Sequence, residues 1–135
     1  MPYKILGHTA DVRMIVQGKT LEEFFRDAVL GMMEIVKPKF DEPEKNIQRN
    51  IELEAPDTTA LLVDFLNEVL FNANANKEGY AEINFKKLSE NSLEAELSGR
   101  TVQSFGEDIK AATYHEADVK KNEKGEWETV IIFDI

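Results

Sequence analysis

The feature that most constrains the fold is a pair of segments in which apolar residues recur at helical spacing. The first follows Thr20, which forms a capping box with Glu23, and it ends at Pro38. Its stripe consists of Leu21, Phe24, Phe25, Ala28, Val29, Met32, Ile35 and Val36. The second follows Asp57, a predicted N-cap, and its apolar positions are Leu61, Leu62, Phe65, Leu66, Val69, Leu70 and Ala73. The chain must therefore bury two helical faces.

The segments around the two helices alternate between apolar and polar residues, as strands do. They comprise residues 3–16, 47–53, a hairpin over 81–97, and a last hairpin that joins 114–119 to 127–135. Gly99 is expected to end the first hairpin. The run Val130-Ile131-Ile132-Phe133 is apolar on both faces, which predicts a central strand. This order predicts an α+β fold, a single domain over residues 1–135 with two helices packed on a mostly antiparallel β-sheet of about five to seven strands.

Charge and composition exclude several classes of protein. Asp and Glu number 26 against 16 Lys and Arg, so the net charge is −10, which disfavours direct binding to nucleic acid. Cysteine is absent, which excludes disulfides, thiolate metal sites and a cysteine nucleophile. The N-terminal residues do not resemble a signal peptide, and no apolar run approaches the roughly 18 residues of a membrane span. We therefore expect a cytoplasmic protein without a membrane partner.

The sequence motifs of cofactor-dependent and nucleophilic enzymes are also absent. The chain contains no GxxxxGK[ST] phosphate loop, no GxGxxG, no HExxH and no GxSxG motif. Its two histidines, His8 and His115, are too few for a histidine-rich zinc site. A cofactor-dependent or nucleophilic enzyme therefore finds little support in the sequence, and no catalytic residue is predicted.

Two short polar clusters interrupt the pattern, GHTAD at residues 7–11 and DIKAATYH at residues 108–115. The simplest interpretation of the first is a turn in which Asp11 accepts hydrogen bonds from local backbone. The simplest interpretation of the second is a solvated Lys110 with Tyr114 or His115 buried against the core. The alternative is that Asp11 and Lys110 enter one ligand pocket. On the second helix, Asp64 and Glu68 are interpreted as solvated.

A third cluster is the C-terminal stretch FDI, residues 133–135. The side chain of Asp134 and the terminal carboxylate of Ile135 are one residue apart, and oxygens at short range suit a hard cation such as Ca²⁺ or Mg²⁺. Asp11 would add a third negative group, with waters or a partner protein completing the ligand shell. Periodicity alone does not bring Asp11 and Asp134 together, so the residues leave this site open.

Taken together, the motifs resemble those of the archease family. The resemblance rests on HTAD at residues 8–11, LVDFLNEVL at 62–70, IKAATYH at 109–115 and the final FDI, and it spans essentially the whole chain. Ala112 differs from the larger β-branched residue of many relatives, which puts no function in doubt.

The resemblance implies a non-enzymatic activator of the RtcB-type tRNA-splicing RNA ligase. Such proteins promote guanylylation of the ligase's active-site histidine, sustain multiple turnover and broaden nucleotide use. It also implies that Asp11, Asp134 and Ile135 bind a divalent cation, usually Ca²⁺, and that Lys110 is functionally required beside them. GTP is then used by the ligase and is not bound by this protein alone.

Two other functions stay open on the residues alone. One is a metal-dependent phosphoester hydrolase that uses Asp11 and Asp134, although hydrolysis usually needs a fuller ligand set and a positioned water. The other is a general chaperone or nucleic-acid-binding module, for which the charge of −10 argues against RNA affinity.

Overall fold

The computed structural model describes residues 2–6, 11–43 and 45–135. In chain order the elements are β1 (Tyr3–Leu6), β2 (Asp11–Gly18), α1 (Leu21–Val36), β3 (Pro38–Phe40), β4 (Asn46–Glu54), α2 (Thr58–Asn76), β5 (Glu78–Leu88), β6 (Ser92–Phe105), β7 (Ala111–Thr113), β8 (Lys120–Lys121) and β9 (Trp127–Asp134). No helix in these ranges is long and apolar enough to cross a membrane.

Both helices begin at the predicted caps. The Thr20 hydroxyl accepts a hydrogen bond from the Glu23 backbone N–H at 3.1 Å, and the Asp57 carboxylate accepts one from Ala60 at 2.8 Å. Each helix ends at a left-handed lysine, Lys37 after α1 and Lys77 after α2, whose backbone N–H bonds back to the last turn. The sequence prediction of both helices is therefore confirmed.

The strands form two antiparallel sheets. In the first, the order is β1-β2-β9-β7, and β8 also pairs with β9. The apolar strand β9 therefore lies between β2 and β7, as its composition predicted. In the second sheet β6 pairs with β4 and β5 along its length and with β3 near its end.

The two helices and both sheets share one hydrophobic core. Phe25 of α1 lies 6.1 Å from Phe65 of α2, measured between ring centroids, and both rings contact Phe85 of β5. On the first sheet, α1 packs against β2 and α2 packs against β7. Val12 and Phe133 point into this core from neighbouring strands. The first sheet therefore buries one of its faces against the two helices.

The predicted class, two helices with antiparallel strands, is confirmed, but the strands in the described residues number nine and form two sheets. The count exceeds five to seven because β1, β3, β7 and β8 have only two to four residues each, too few to be recognised as separate strands from an alternating pattern. The predicted end at Gly99 is also wrong. A Cβ there would lie 1.9 Å from the Gly79 carbonyl oxygen, so Gly99 lets β5 and β6 approach while β6 continues.

The prediction of a strand over residues 114–119 is wrong as well. Ala117 donates its backbone N–H to the Tyr114 carbonyl at 3.0 Å, and Glu116 is left-handed with φ 61°. This turn takes the chain away from β9. The pairing with β9 is made instead by β7 before the turn and β8 after it.

Candidate functional site

Asp11 and Asp134 are directly opposite each other at one end of the first sheet. Asp11 is the first residue of β2 and Asp134 the last of β9, and the antiparallel register pairs them. Opposite residues point to the same face. Because the next pair, Val12 and Phe133, is buried in the core, both aspartates point to the outer face. Asp134 is exposed and Asp11 is half-buried.

Lys110 and Ile135 adjoin this pair. The Lys110 backbone N–H donates to the Asp134 carbonyl at 2.8 Å, and Ala111, the next residue, is directly opposite Asp134. Ile135 follows Asp134 and packs, half-buried, against the core. We call these four residues, Asp11, Lys110, Asp134 and Ile135, the β2–β9 corner.

The backbones of the corner residues lie side by side, but their charged side chains lie on two different faces. Lys110 is one residue away from Ala111, so its side chain emerges on the opposite face from the two aspartates. There it is exposed and lines an open groove with Asn67 and Phe71 of α2. The structure therefore brings the four predicted residues to one corner, with the ammonium on the helix side and the carboxylates on the other.

The charged side chains of the corner are not paired with one another or with other described residues. Within residues 2–6, 11–43 and 45–135, Asp11, Lys110 and Asp134 take part in none of the ion pairs. The nearest cation along β2, Arg13, is bound to Glu116 at 2.6 Å. Like charges directly opposite each other on two strands repel. The pair of carboxylates is therefore suited to attract a cation or a donor from outside.

The two aspartates do not by themselves complete a metal site. In the described part of the chain, no three His, Cys, Asp or Glu side chains are grouped so that they could hold a metal ion. Calcium takes about six to eight oxygen ligands. Any ion bound by Asp11 and Asp134 would therefore need backbone or terminal carboxylate oxygens, waters or a partner for most of its shell.

Helix α2 fixes the segment that leads into the corner. Asn67 donates its side-chain N–H to the Ala112 carbonyl at 2.9 Å, and its side-chain oxygen accepts from the Ala112 N–H at 2.8 Å. One turn earlier, Asp64 accepts a hydrogen bond from the Tyr114 hydroxyl. The segment therefore runs along α2, and Lys110 reaches the groove beside Phe71.

The sequence did not predict these contacts, and the interpretation of Asp64 as merely solvated is wrong. The hydrogen bond to Asp64, with a smaller contribution from burial, raises the pKa of Tyr114 to about 12. Tyr114 and His115 are both exposed, so the prediction that one of them is buried is wrong too. A usable signal was the spacing of Asp64 and Asn67, three residues apart on the polar side of α2.

The first polar cluster is described only at its last residue. Gly7, His8, Thr9 and Ala10 lie outside the described residues, so the predicted turn at HTAD stays a prediction. Asp11 is the only residue of that cluster whose place is known, as the first residue of β2.

Comparison with known proteins decides the family. The model of the Archease protein family (MTH1598/TM1083) matches residues 3–135. This chain belongs to the archease family. Among curated relatives, Protein archease of Methanosarcina barkeri is 31% identical and that of Methanosarcina mazei 29% identical, and each match covers 98% of this chain and 95% of the relative.

Solved structures show the same archease fold. The solution structure of Methanobacterium thermoautotrophicum protein 1598 matches with a TM-score of 0.72 at 21% identity, covering 99% of both chains. The crystal structure of an archease, described as a possible chaperone, from Thermotoga maritima matches with a TM-score of 0.71 at 20% identity, covering 98% of this chain and 96% of that one. The sequence-based identification of the family is therefore confirmed.

Proposed function

We propose that this archease activates an RtcB-type tRNA-splicing RNA ligase in the cytoplasm without catalysing a reaction itself. It would promote guanylylation of the ligase's active-site histidine, support multiple turnover and broaden the ligase's nucleotide use. The observation that carries the proposal is the register that sets Asp11 opposite Asp134, with Lys110 bonded to the backbone of Asp134. Residues from three separate motifs, at opposite ends of the sequence, thereby meet at one exposed corner.

The proposal includes a divalent cation, most readily Ca²⁺, held by Asp11, Asp134 and the carboxylate of Ile135. The donor set fits, because all three groups offer the hard oxygens that Ca²⁺ prefers. The two aspartates also share a face and form no ion pair with any described residue. When bound, the ion would supply a positive charge to phosphate oxygens of the nucleotide that the ligase holds.

Lys110 would contribute a second positive charge from the other face of the sheet. Its backbone N–H is bonded to Asp134, Ala112 two residues further on is held by Asn67, and its side chain is exposed. Guanylylation moves negative charge on the triphosphate as the bond to the leaving group breaks, and a positioned ammonium stabilises such charge. Lys110 would thus act on the nucleotide bound to the ligase.

The test is a guanylylation time course of a purified cognate ligase with and without this protein. We expect a faster approach to the guanylylated ligase with the wild-type protein, and a loss of about tenfold or more in that stimulation for Asp11→Ala, Lys110→Ala and Asp134→Ala. Glu123→Ala, an exposed residue of the β8–β9 turn, is the matched control and should stimulate normally. Corner variants that remain folded and stimulate like the wild type would refute the proposal.

The other two functions are tested with the protein alone. Release of product from phosphoesters in the presence of Ca²⁺ or Mg²⁺ would identify a hydrolase. Retention of RNA on a filter at low salt would identify a nucleic-acid-binding module, against the charge of −10. Our proposal expects neither result.

A further inference from the structure

Phe71 is the most exposed large apolar side chain in the described part of the chain. It lies on α2 with 66% of its surface accessible. Tyr114, whose hydroxyl bonds to Asp64 nearer the start of the same helix, is 54% exposed. Beside Phe71 an open groove of about 550 Å³ is lined by Asn67, Leu70, Asn74, Ala75 and Lys110. An exposed aromatic ring next to a groove is typical of an anchor in a protein interface.

The charge of this face is acidic. Asp64, Glu68 and Phe71 share one face of α2, because they are spaced by three, four and seven residues. The 19 residues of α2 include no Lys or Arg. Lys110, which also belongs to the β2–β9 corner, is the one cation among the described residues that line the groove. We call Asp64, Glu68, Phe71 and Tyr114 the Phe71 face.

We propose that the Phe71 face docks on the RNA ligase, against a surface that presents an apolar side chain bordered by Arg or Lys. This inference rests on the proposed function. An enzyme that holds RNA displays cations around its active site, and these complement the acids that border Phe71. Since Asp64 and Glu68 would repel both RNA and a second copy of the same face, a basic protein surface is the favoured occupant.

The Phe71 face adjoins the β2–β9 corner, so docking on this face would bring the ligase to the corner. Lys110 lines the groove beside Phe71, and its backbone is bonded to Asp134. A ligase seated on the Phe71 face would therefore have the corner at the edge of the contact. Asn67, by holding Ala112, keeps the face and the corner in a fixed relation.

The experiment measures the affinity of purified ligase for immobilised protein by biolayer interferometry. We expect Phe71→Ala to raise the Kd by tenfold or more and Phe71→Leu to raise it by less than threefold, since leucine keeps an apolar anchor. Glu68→Lys should raise the Kd, whereas Glu123→Lys, the same charge change at the β8–β9 turn, should leave it within twofold. Phe71, Glu68 and Glu123 are exposed, so circular dichroism should show native folding for all variants.

The guanylylation assay separates this inference from the proposed function. Asp134→Asn should bind the ligase normally and fail to stimulate it, whereas Phe71→Ala should stimulate it once its concentration is raised to saturation. Normal binding by Phe71→Ala, with a wild-type protein that binds and stimulates, would overturn the docking surface and leave the proposed function standing. A wild-type protein that neither binds nor stimulates the ligase would overturn both.

Two further outcomes assign the face to another occupant. If Phe71→Ala converts a wild-type dimer to a monomer in size-exclusion chromatography and ligase binding is unchanged, the face joins two copies of this chain. If Phe71→Ala abolishes suppression of aggregation of an unfolded client and leaves ligase binding unchanged, the face binds unfolded chains. Either result would overturn the inference.

Discussion

Two charged regions of the molecule are built in opposite ways. In the second sheet, Glu78 is buried, at 2% exposure, and fully engaged. Arg49 donates to it from Nε at 2.9 Å and from Nη2 at 2.8 Å, and the Tyr80 hydroxyl donates at 2.9 Å. At the β2–β9 corner, Asp11 and Asp134 are opposite each other and form no ion pair with any described residue.

The difference separates a charge that is compensated within the fold from charges to which our proposal assigns a function. The carboxylate of Glu78 is compensated within the fold, and burial together with its hydrogen bond raises the pKa of Tyr80 well above the ordinary value. The carboxylates of the corner are like charges placed opposite each other, and they form no ion pair with any residue that the structure describes. Variants of the first region should therefore change unfolding, whereas variants of the second should change activity.

The largest expected effect is on the buried cluster. Glu78→Ala leaves the Tyr80 hydroxyl unpaired and removes the three hydrogen bonds from Arg49. We therefore expect the free energy of unfolding to fall by about 2 to 3 kcal/mol. This is below the usual cost of breaking a buried ion pair because the Arg49 side chain, 41% exposed, can turn to water. Urea unfolding measures it. Glu82→Ala, an exposed site on the same strand, should stay within about 0.5 kcal/mol, and equal losses would contradict the comparison.

The next effect concerns the residue that ties α2 to the corner. Asn67→Ala leaves the N–H and C=O of Ala112 without their partner, so we expect a loss of about 2 kcal/mol in urea unfolding. Asn72→Ala removes a single side-chain bond to the Glu68 carbonyl on the same helix and should cost less than about 0.5 kcal/mol. If the two asparagines prove equivalent, α2 does not hold the corner.

A smaller effect of opposite sign is expected at the corner itself. Asp134→Asn removes the repulsion of Asp11, so in the presence of a chelator we expect the free energy of unfolding to rise by about 0.5 kcal/mol. With excess Ca²⁺ the wild-type protein should instead be the more stable of the two, because only it binds the ion strongly. Thermal unfolding with and without Ca²⁺ checks this crossover. If Ca²⁺ changes the unfolding temperature of both proteins equally, that result would argue against a cation at the corner.

The smallest effect is confined to alkaline pH. The hydrogen bond to Asp64 raises the pKa of Tyr114 from the ordinary value of about 10 to about 12, so its stabilisation is complete below pH 10 and is lost as the pH rises to 12. Tyr114→Phe should therefore be less stable than the wild type at neutral pH, and the difference should shrink over that range. Absorbance at the phenolate band follows the titration. Because the hydrogen bond from Tyr3 to Glu34 also raises the pKa of Tyr3 to about 12, Tyr3→Phe is measured beside Tyr114→Phe to tell the two tyrosines apart. If Tyr114 titrates near pH 10, that result would contradict the hydrogen bond with Asp64.

The sequence predicted the local structure well and the long-range contacts poorly. The helices were predictable because the caps at Thr20 and Asp57 and the apolar stripes are encoded within a few residues. The central place of β9 followed from its two apolar faces. Short strands such as β7 and β8 were not predictable, because pairing with β9 creates them.

The residues of the β2–β9 corner could be named from the sequence, but their geometry could not be predicted. The resemblance to the archease family pointed to Asp11, Lys110, Asp134 and Ile135. Periodicity could not reveal that Asp11 pairs with Asp134. Contacts such as Tyr114 with Asp64 join residues far apart in the chain, so the spacing of Asp64 and Asn67 could mark the polar side of α2 but could not identify the partner residues. Glu78 was missed for the same reason, since its partner Arg49 lies on another strand.

The most direct measurement of the central claim, that the two aspartates act as one site, is a double-mutant cycle on ligase guanylylation. The stimulated rate would be measured with the wild-type protein, Asp11→Asn, Asp134→Asn and the double variant. If both carboxylates hold one cation, either single change removes about the whole stimulation, roughly tenfold or more, and the double variant loses no more. Single losses that are partial and multiply in the double variant would show independent contributions and contradict the account.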